Sequence, residues 1–235
     1  MAWRKIGALL LGYSPRPGIV DDILSLRPQT DIIQVGALDG INFGDVASLR
    51  PRTEYLSADT EEDYPIGHYP LATMLNPNQP VSVERDDLLP LLQKKIGELE
   101  KTDVDAILLI CTGDFPGLVS IKPLIIPHRV FSTFISCVPP KGRVAILCPI
   151  VGQKPACEAK WRIEGLNPIV IVTSLSSQAD IQRTGYLLQH EEIDMVILDC
   201  YAFGKAAKEE MMRFVSCPVL SIRTIVVSIL SEFLG

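Results

Sequence analysis

Two cysteines, Cys111 and Cys200, each end a short apolar run that begins with an aspartate. The runs are "DAILLIC" at 105–111 and "DMVILDC" at 194–200. Such runs are typical of strands buried in a parallel sheet, and ligands bind outside the carboxyl ends of those strands. Two thiols facing one substrate carbon could transfer protons as base and acid without a cofactor. A cysteine in such a place is also commonly a small buried hydrophobe, and the pattern leaves both interpretations open.

The loops that follow the two cysteines contain further candidate binding residues. The thiolate is the reactive form of cysteine, and helix N-termini and nearby cations favour it. Both loops lead into helical patterns, whose first backbone N–H groups could stabilise a thiolate or bind a carboxylate. The substrate-binding residues predicted there are Thr112, Gly113, Asp114, Tyr201 and Ala202.

Two other loops follow predicted strands in corresponding places. The segment "GYSPRPG" at 12–18 contains Ser14 and Arg16. Arginine can bind a carboxylate through two parallel hydrogen bonds, and a solvated loop residue is the alternative for Arg16. The segment "CPIVGQK" contains Gly152 and Gln153. These residues could bind an anion, and an ordinary strand-to-helix turn is the alternative.

Apolar runs and helical spacing predict the elements that position these residues. The predicted strands are 5–12, 31–38, 105–111, 143–149, 168–174, 195–200 and 218–222. The predicted helices are 17–26, 86–101, 153–164, 177–190, 204–214 and 223–234. Strands that alternate with helices predict a layered α/β fold.

The chain is predicted to divide near Pro139 and Pro140, with an N-terminal half at 1–139 and a C-terminal half at 140–235. Each half contains one strand of the form Asp, apolar run, Cys. Within residues 39–85, "LATML" and "VSVE" flank the turn-rich "NPNQP" and predict an antiparallel hairpin or flap before the long helix. The C-terminal helix is a candidate to pack back on the first half.

Composition and charge narrow the class of partner. The 235 residues are 47% hydrophobic and 21% charged, as in globular proteins. A net charge of −6 and a pI near 5.1 argue against nucleic acid and anionic membranes. No apolar run approaches the roughly 20 residues needed to cross a bilayer. We therefore expect a small carboxylate ligand or substrate, with a homodimer as a candidate assembly.

The other cysteines and the histidines do not suggest a metal site. No two cysteines have C-x-x-C spacing, and the three histidines are far apart, so we expect neither a metal nor a cofactor. Cys148 fits a core thiol, and Cys137, Cys157 and Cys217 are interpreted as structural. Widely spread cysteines in a chain of this size favour a reduced, cytoplasmic protein, and the start "MAWRKIGALLLGYSP" lacks the cleavage site of a signal peptide.

Across nearly its whole length the sequence resembles the AroM family. The resemblance lies in "GYSPRPGI", "MLNPNQPVSVERDDLLPLLQKKI", "DAILLICTGDF" and "MVILDCYAFGKAAKEEM" followed by "CPVL". AroM proteins look like distant members of the aspartate/glutamate/hydantoin racemase superfamily. This resemblance implies two pseudo-symmetric Rossmann-like or flavodoxin-like halves with mostly parallel sheets and a cleft between them. It also implies that Cys111 and Cys200 are the two catalytic cysteines.

The residues after the cysteines depart from the pattern of that superfamily. Its racemases typically have Asn-Thr after the first cysteine and Thr-His after the second, whereas this chain has Thr112-Gly113 and Tyr201-Ala202. One hypothesis is an isomerase-like, racemase-like or decarboxylase-like enzyme that acts without pyridoxal phosphate. The other is a non-catalytic small-molecule binding or regulatory protein with a racemase-like site. A redox role is disfavoured, because a disulfide needs Cα atoms within about 7 Å.

Overall fold

The structure is a computed structural model that describes residues 3–46, 49, 70–77, 79–174 and 178–235. The chain forms two compact units. Among the described residues, the first unit contains those up to 49 together with 70–130 and 226–235. The second unit contains residues 131–225.

The first unit contains a parallel sheet and a hairpin. Its strands are β1 Lys5–Leu10, β2 Asp31–Gly36, β3 Pro70–Asn76, β4 Gln79–Glu84, β5 Ala106–Ile110 and β6 Leu124–Ile125. Its helices are α1 Asp21–Leu26, α2 Phe43–Val46 and α3 Arg85–Glu100. The parallel sheet has the order β2-β1-β5-β6, and β3 pairs with β4 in an antiparallel hairpin.

Helix α4 Pro127–Cys137 leads from the first unit into the second. The second unit continues with β7 Arg143–Cys148, a short 3₁₀ helix Val151–Gln153, α5 Lys154–Ile163, β8 Asn167–Val172, α6 Gln178–Leu188, β9 Met195–Leu198, α7 Lys205–Met211 and β10 Val219–Ser221. Helix α8 Ile222–Ser231 begins in this unit, and its residues from Val226 onward belong to the first. The four strands form a parallel sheet in the order β10-β9-β7-β8.

The two parallel sheets have the same strand order. When the strands of each sheet are counted along the chain, both sheets read second, first, third, fourth. Strands β1 and β7 are therefore equivalent first strands, β5 and β9 are equivalent third strands, and β6 and β10 are equivalent fourth strands. The predicted α/β class, with two similar halves and mostly parallel sheets, is confirmed.

Burial explains why these segments form strands and helices. All five residues of β5 and all four of β9 are buried, as expected for third strands with neighbours on both sides. Helix α3 buries one face, formed by Leu88, Leu92, Ile96 and Leu99. A Cβ on Gly7 of β1 would lie 3.0 Å from Leu99 Cδ2, so the absence of a side chain there allows α3 to pack closely.

The repeated aspartates have the same structural role in both units. Asp105 lies before β5, and Asp194 lies before β9. Each carboxylate accepts hydrogen bonds from two successive backbone N–H groups that lie at or just before the start of the first strand of its sheet. The donors are Arg4 and Lys5 for Asp105, at 2.7 and 2.9 Å, and Lys141 and Gly142 for Asp194, at 3.1 and 2.5 Å. The aspartate that begins each repeated run therefore has a structural role. It ties the third strand of its sheet to the first strand.

We expect Asp105→Asn to lower the free energy of unfolding at pH 7 by about 1 kcal/mol, because a weaker acceptor remains and the exposed site is screened by solvent. Hydrogen bonds from the N–H groups of Arg4 and Lys5 lower the pKa of Asp105. The carboxylate therefore contributes stability above about pH 4, and this contribution is lost as the pH falls through the folded-state pKa. Urea denaturation at pH 7 and pH 3 measures the effect. If the free energies of unfolding of the wild type and Asp105→Asn differ as much at pH 3 as at pH 7, the Asp105 carboxylate is not the source of the stability.

Some predicted boundaries and elements are wrong. No element was predicted from the sequence at residues 124–137, where the structure has β6 and α4. The helix predicted from residue 17 begins at Asp21, because the chain turns at Gly18, whose φ is 77°. The strand predicted to reach residue 12 ends at Leu10, and the chain then leaves the sheet.

The predicted hairpin segments "LATML" and "VSVE" lie in β3 and β4. The side-chain amide of Asn76 donates to Gln79 Oε1 at 2.7 Å beside the turn. Residues 47, 48, 50–69 and 78 of the region 39–85 lie outside the described residues, so the prediction of a flap there stays a prediction. Within the described ranges, every helix is too short or too polar to cross a membrane.

Candidate active site

The shared strand order places one candidate site at the same point of each sheet. Ligands of parallel α/β sheets bind outside the carboxyl ends of the strands, at the point where the strand order reverses. That point lies between β1 and β5 in the first unit and between β7 and β9 in the second. The loops after these four strands contain all eleven residues predicted from the sequence as catalytic or substrate-binding.

Cys111 lies immediately after β5 and is half-buried. The backbone N–H of Gly113 donates to its Sγ at 3.3 Å. A donor aimed at sulfur favours the thiolate over the thiol. A Cβ on Gly113 would lie 3.0 Å from Phe115 Cε2, so a larger residue would disturb this loop. We name residues 111–115 the first cysteine loop.

Ser14 is held by Asp39, which is not among the site residues predicted from the sequence. The Ser14 hydroxyl donates to Asp39 Oδ2 at 2.5 Å and also lies 3.2 Å from the Gln34 carbonyl oxygen. The Asp39 carboxylate accepts the backbone N–H groups of Ser14 and Gly36 as well, each at 2.7 Å. Both partners of the hydroxyl are acceptors, and a hydroxyl has one proton. Ser14 therefore offers a ligand the lone pairs of its oxygen.

Arg16 is positioned through its backbone. Its N–H donates to Gln34 Oε1 at 2.8 Å, so the carbonyl and the side chain of Gln34 both contact the loop after β1. The Arg16 side chain is half-buried. Hydrogen bonds thus hold the backbone of residues 14–16 at the carboxyl end of β1.

The hairpin contacts both loops of the first site. The Tyr13 N–H donates to the Met74 carbonyl at 3.0 Å. A Cβ on Gly12 would lie 2.1 Å from that carbonyl oxygen, so only glycine permits the contact. On the other loop, a Cβ on Gly113 would lie 3.4 Å from Leu71 Cδ2. The hairpin therefore forms a wall beside the loops that contain Ser14 and Cys111.

Cys200 in the second unit is half-buried and follows a buried carboxylate. Asp199 Oδ2 accepts hydrogen bonds from three donors on α5. They are Lys160 Nζ at 2.6 Å, Trp161 Nε1 at 2.7 Å and Cys157 Sγ at 3.3 Å. This network fixes the end of β9, from which Cys200 follows directly.

Two neighbouring cysteines are poor candidates for chemistry. Burial, followed by the nearby Asp199 charge, raises the pKa of Cys148 to about 12. Burial followed by the Asp199 charge also raises the pKa of Cys157 well above its usual range. Both remain protonated thiols at neutral pH. Burial raises the pKa of Cys217 as well.

The residues after Cys200 form a tight turn, and we name residues 200–204 the second cysteine loop. The Phe203 N–H donates to the Cys200 carbonyl at 3.0 Å. Tyr201 is buried, and the guanidinium carbon of Arg223 lies 5.6 Å from the centroid of its ring. Ser221 Oγ donates to the Phe203 carbonyl at 2.8 Å, so the end of β10 also holds this loop.

The remaining predicted residues lie at the same edges of the sheets. Gly152 and Gln153 are half-buried in the 3₁₀ helix that leads from β7 into α5. Thr112 is buried and Asp114 is half-buried in the first cysteine loop, and Ala202 is half-buried in the second. The first unit brings together the predicted residues 14, 16 and 111–114. The second brings together 152, 153 and 200–202.

The polar residues that hold these loops were not predicted from the sequence. Asp39 and Gln34 fix Ser14 and Arg16, Asp199 fixes the approach to Cys200, and Arg223 lies over Tyr201. One signal was available for Arg223, because it is the only charged residue in the apolar segment "CPVLSIRTIVVSIL". Among the residues that the structure describes, no three or more His, Cys, Asp or Glu side chains are placed to hold a metal ion.

The solved structures that share this fold include the following three. Unliganded arylmalonate decarboxylase is 15% identical, with a TM-score of 0.63, and the match covers 99% of this chain and 93% of that one. Allantoin racemase from Pseudomonas fluorescens is 13% identical, with a TM-score of 0.58 and coverage of 97% and 89%. Glutamate racemase from Aquifex pyrophilus is 14% identical, with a TM-score of 0.53 and coverage of 98% and 84%. Comparison with curated protein sequences finds no match.

These likenesses define the class of protein as a racemase-like α/β fold. The family is defined by sequence, since the family model described as AroM protein matches residues 6–234. The chain belongs to the AroM family. The resemblance predicted from the sequence is thereby confirmed.

Proposed function

We propose that this AroM-family protein is a cofactor-independent isomerase of the racemase type that acts on a small carboxylate. Cys111 and Cys200 are the proton-transfer residues. One observation carries the proposal: both cysteines follow the third strand of sheets with the same strand order, beside the point where that order reverses. Because ligands of parallel sheets bind at that point, the recurrence of a thiol there supports a pair of reacting groups.

The reaction needs only the two thiols and the acidity of the substrate. One cysteine, as thiolate, takes the α-proton, so an S–H bond forms and a C–H bond breaks. The electron pair stays on the substrate carbon and is delocalised onto the carboxylate. The other cysteine, as thiol, then donates its proton to the opposite face of that carbon. The configuration is inverted and the two cysteines have exchanged protonation states.

The surrounding residues have distinct roles in this proposal. The Gly113 N–H stabilises the Cys111 thiolate, and Thr112, Gly113 and Asp114 are substrate-binding residues of the same loop. Arg16 binds the carboxylate, and the Ser14 oxygen accepts an N–H or O–H group of the substrate. In the second unit, the substrate is bound by Gly152 and Gln153 after β7 and by Tyr201 and Ala202 after Cys200.

The test is deuterium exchange at the α-carbon. The protein is incubated in D₂O with each enantiomer of glutamate and with phenylmalonate, because two of the similar structures carry the names of these classes of carboxylate. We expect loss of the α-hydrogen NMR signal of at least one substrate, together with inversion, or loss of carbon dioxide from the malonate. Binding of one of these compounds with no exchange, inversion or decarboxylation would overturn the proposal.

A non-catalytic small-molecule binding or regulatory protein is the second candidate function. The buried Tyr201 favours it, because this side chain follows Cys200 where the superfamily resemblance implies threonine. Thermal-shift measurements with the same compounds detect binding under either function. A stabilising ligand whose α-hydrogen never exchanges identifies the second function.

A further inference from the structure

An aspartate and a serine are paired at the carboxyl edge of the first parallel sheet. Ser14 follows β1 and Asp39 follows β2, and strand register places Leu10 of β1 beside Gly36 of β2. Ser14 and Asp39 come shortly after these paired residues, and both are half-buried. The two loops therefore leave neighbouring strands side by side, at the edge where parallel sheets bind their ligands.

The Asp39 carboxylate fastens the turn after β2 to the loop after β1. Its Oδ1 accepts the Ser14 N–H, and its Oδ2 accepts both the Gly36 N–H and the Ser14 hydroxyl, the last at 2.5 Å. The Asp39 N–H donates back to the Gly36 carbonyl at 3.1 Å. A Cβ on Gly36 would lie 2.2 Å from the Gly12 carbonyl oxygen, so only glycine permits this close approach. The hydroxyl proton of Ser14 is thus held in a fixed direction.

This arrangement makes the Ser14 oxygen an acceptor. A hydroxyl has one proton and two lone pairs. The Gln34 carbonyl oxygen, 3.2 Å from Ser14 Oγ, is a second acceptor and has no proton to give. Among the residues that the structure describes, no donor contacts the Ser14 oxygen. A ligand that places a donor here satisfies the oxygen, whereas a ligand that places an acceptor here is repelled.

We propose that Asp39 is a positioning residue that makes the site select carboxylates with a hydrogen-bond donor, a hydroxyl or an amine, on the α-carbon. It acts through Ser14, whose oxygen accepts that donor. An α-oxo acid is rejected, because its α-oxygen is only an acceptor. The inference rests on the proposed function for the ligand carboxylate and deepens it by naming the substrate class. The preference itself is measured by binding, without any turnover.

The test compares ligands that differ only at the α-carbon. One set is 2-hydroxyglutarate, 2-oxoglutarate and 2-methylglutarate, and the other is lactate, pyruvate and 2-methylpropanoate. Isothermal titration calorimetry gives the dissociation constants. In at least one set, we expect the wild type to bind the hydroxy acid about tenfold more tightly than the methyl acid, which is the factor that one hydrogen bond supplies. The oxo acid should bind no more tightly than the methyl acid. A wild type that shows no such preference in either set overturns the inference.

Two variants separate the roles of the two side chains. Ser14→Ala keeps the backbone N–H that binds Asp39 and loses only the hydroxyl, so the three acids of a set should bind within about twofold of one another. In Asp39→Ala the Ser14 proton is released and can be donated to an oxo group. The oxo acid should then bind more tightly than the methyl acid. General damage to the loop would weaken the binding of all three acids and would not produce this reversal.

Asp105→Ala is the matched control, because Asp105 also accepts two backbone N–H groups at β1, at the other end of the strand. It should leave the order of the three acids unchanged. If Asp39→Ala fails to fold, Asp39→Asn replaces it. One acceptor oxygen then remains for three donors, and we expect a reduced preference for the hydroxy acid. A folded Ser14 or Asp39 variant that keeps the full wild-type preference and order overturns the inference.

The two proposals fail separately. If the hydroxy acid is preferred through Ser14 and Asp39, but neither glutamate nor phenylmalonate undergoes exchange, inversion or decarboxylation, the selective site exists and the isomerase is rejected. If one of these compounds reacts, but the wild type does not prefer the hydroxy acids or the Asp39 variants keep that preference, the isomerase stands and the role of Asp39 is rejected.

Discussion

Cys111→Ala and Cys200→Ala are each expected to slow α-hydrogen exchange at least about 100-fold, but for opposite enantiomers of the substrate. Each thiol removes the proton from one face of the carbon, so loss of one thiol prevents abstraction from the enantiomer that presents its hydrogen to that face. The remaining thiol can still exchange the other enantiomer without inverting it. Net racemisation is therefore lost in both variants. Each variant loses α-hydrogen exchange for only one of the two enantiomers.

Exchange rates of both enantiomers, measured by NMR in D₂O, separate this outcome from general damage. Cys137→Ala is the matched control, because Cys137 is an exposed thiol far along the chain from both cysteine loops, and it should leave both rates unchanged. Equal loss for both enantiomers in a folded single variant would show that the two thiols do not act on separate faces. Full activity in either variant would remove that cysteine from the mechanism.

Lys160→Met is expected to lower the free energy of unfolding by about 3 kcal/mol or more. The Lys160 Nζ lies 2.6 Å from Asp199 Oδ2, and their side chains are only 11% and 3% exposed. Removal of one partner leaves the other charge buried without compensation, which typically costs 3 to 5 kcal/mol. Urea denaturation followed by circular dichroism measures the loss.

Two further variants test the cause. In Lys160→Met/Asp199→Asn no charge remains buried, and the asparagine oxygen can still accept the Trp161 and Cys157 hydrogen bonds, so most of the loss should be recovered. Lys205→Met breaks an ion pair with Glu209 whose side chains are 75% and 61% exposed, and it should cost under about 1 kcal/mol. A loss from Lys160→Met no larger than that from Lys205→Met would show that the buried pair contributes little.

The parts of the fold that depend on local pattern could be predicted from the sequence. The apolar run before Cys111 and the one before Cys200 are strands because every residue in them is buried, and burial on both faces requires a continuous apolar segment. The hairpin was predictable because turn residues separate two short segments of suitable composition. The family resemblance added the overall fold, which the strand order now confirms.

The parts that depend on contacts between distant residues could not be predicted. Strand β6 has only two residues, too few for any periodicity, so α4 and the position of His128 were missed with it. The pairing of Asp39 with Ser14 spans 25 residues. The pairing of Lys160 with Asp199 spans 39 residues. Such contacts become visible only when the register of the strands is known.

The two ends of each third strand have separate tasks. In the first unit, Asp105 anchors β1 at one end and Cys111 follows the other end, six residues and about 20 Å away. The same holds for Asp194 and Cys200 in the second unit. The sequence of the loop at the carboxyl edge can therefore change while the anchor at the amino edge stays intact. Because of this separation, substitutions in the loops at the carboxyl edge can accumulate during evolution without a loss of fold stability.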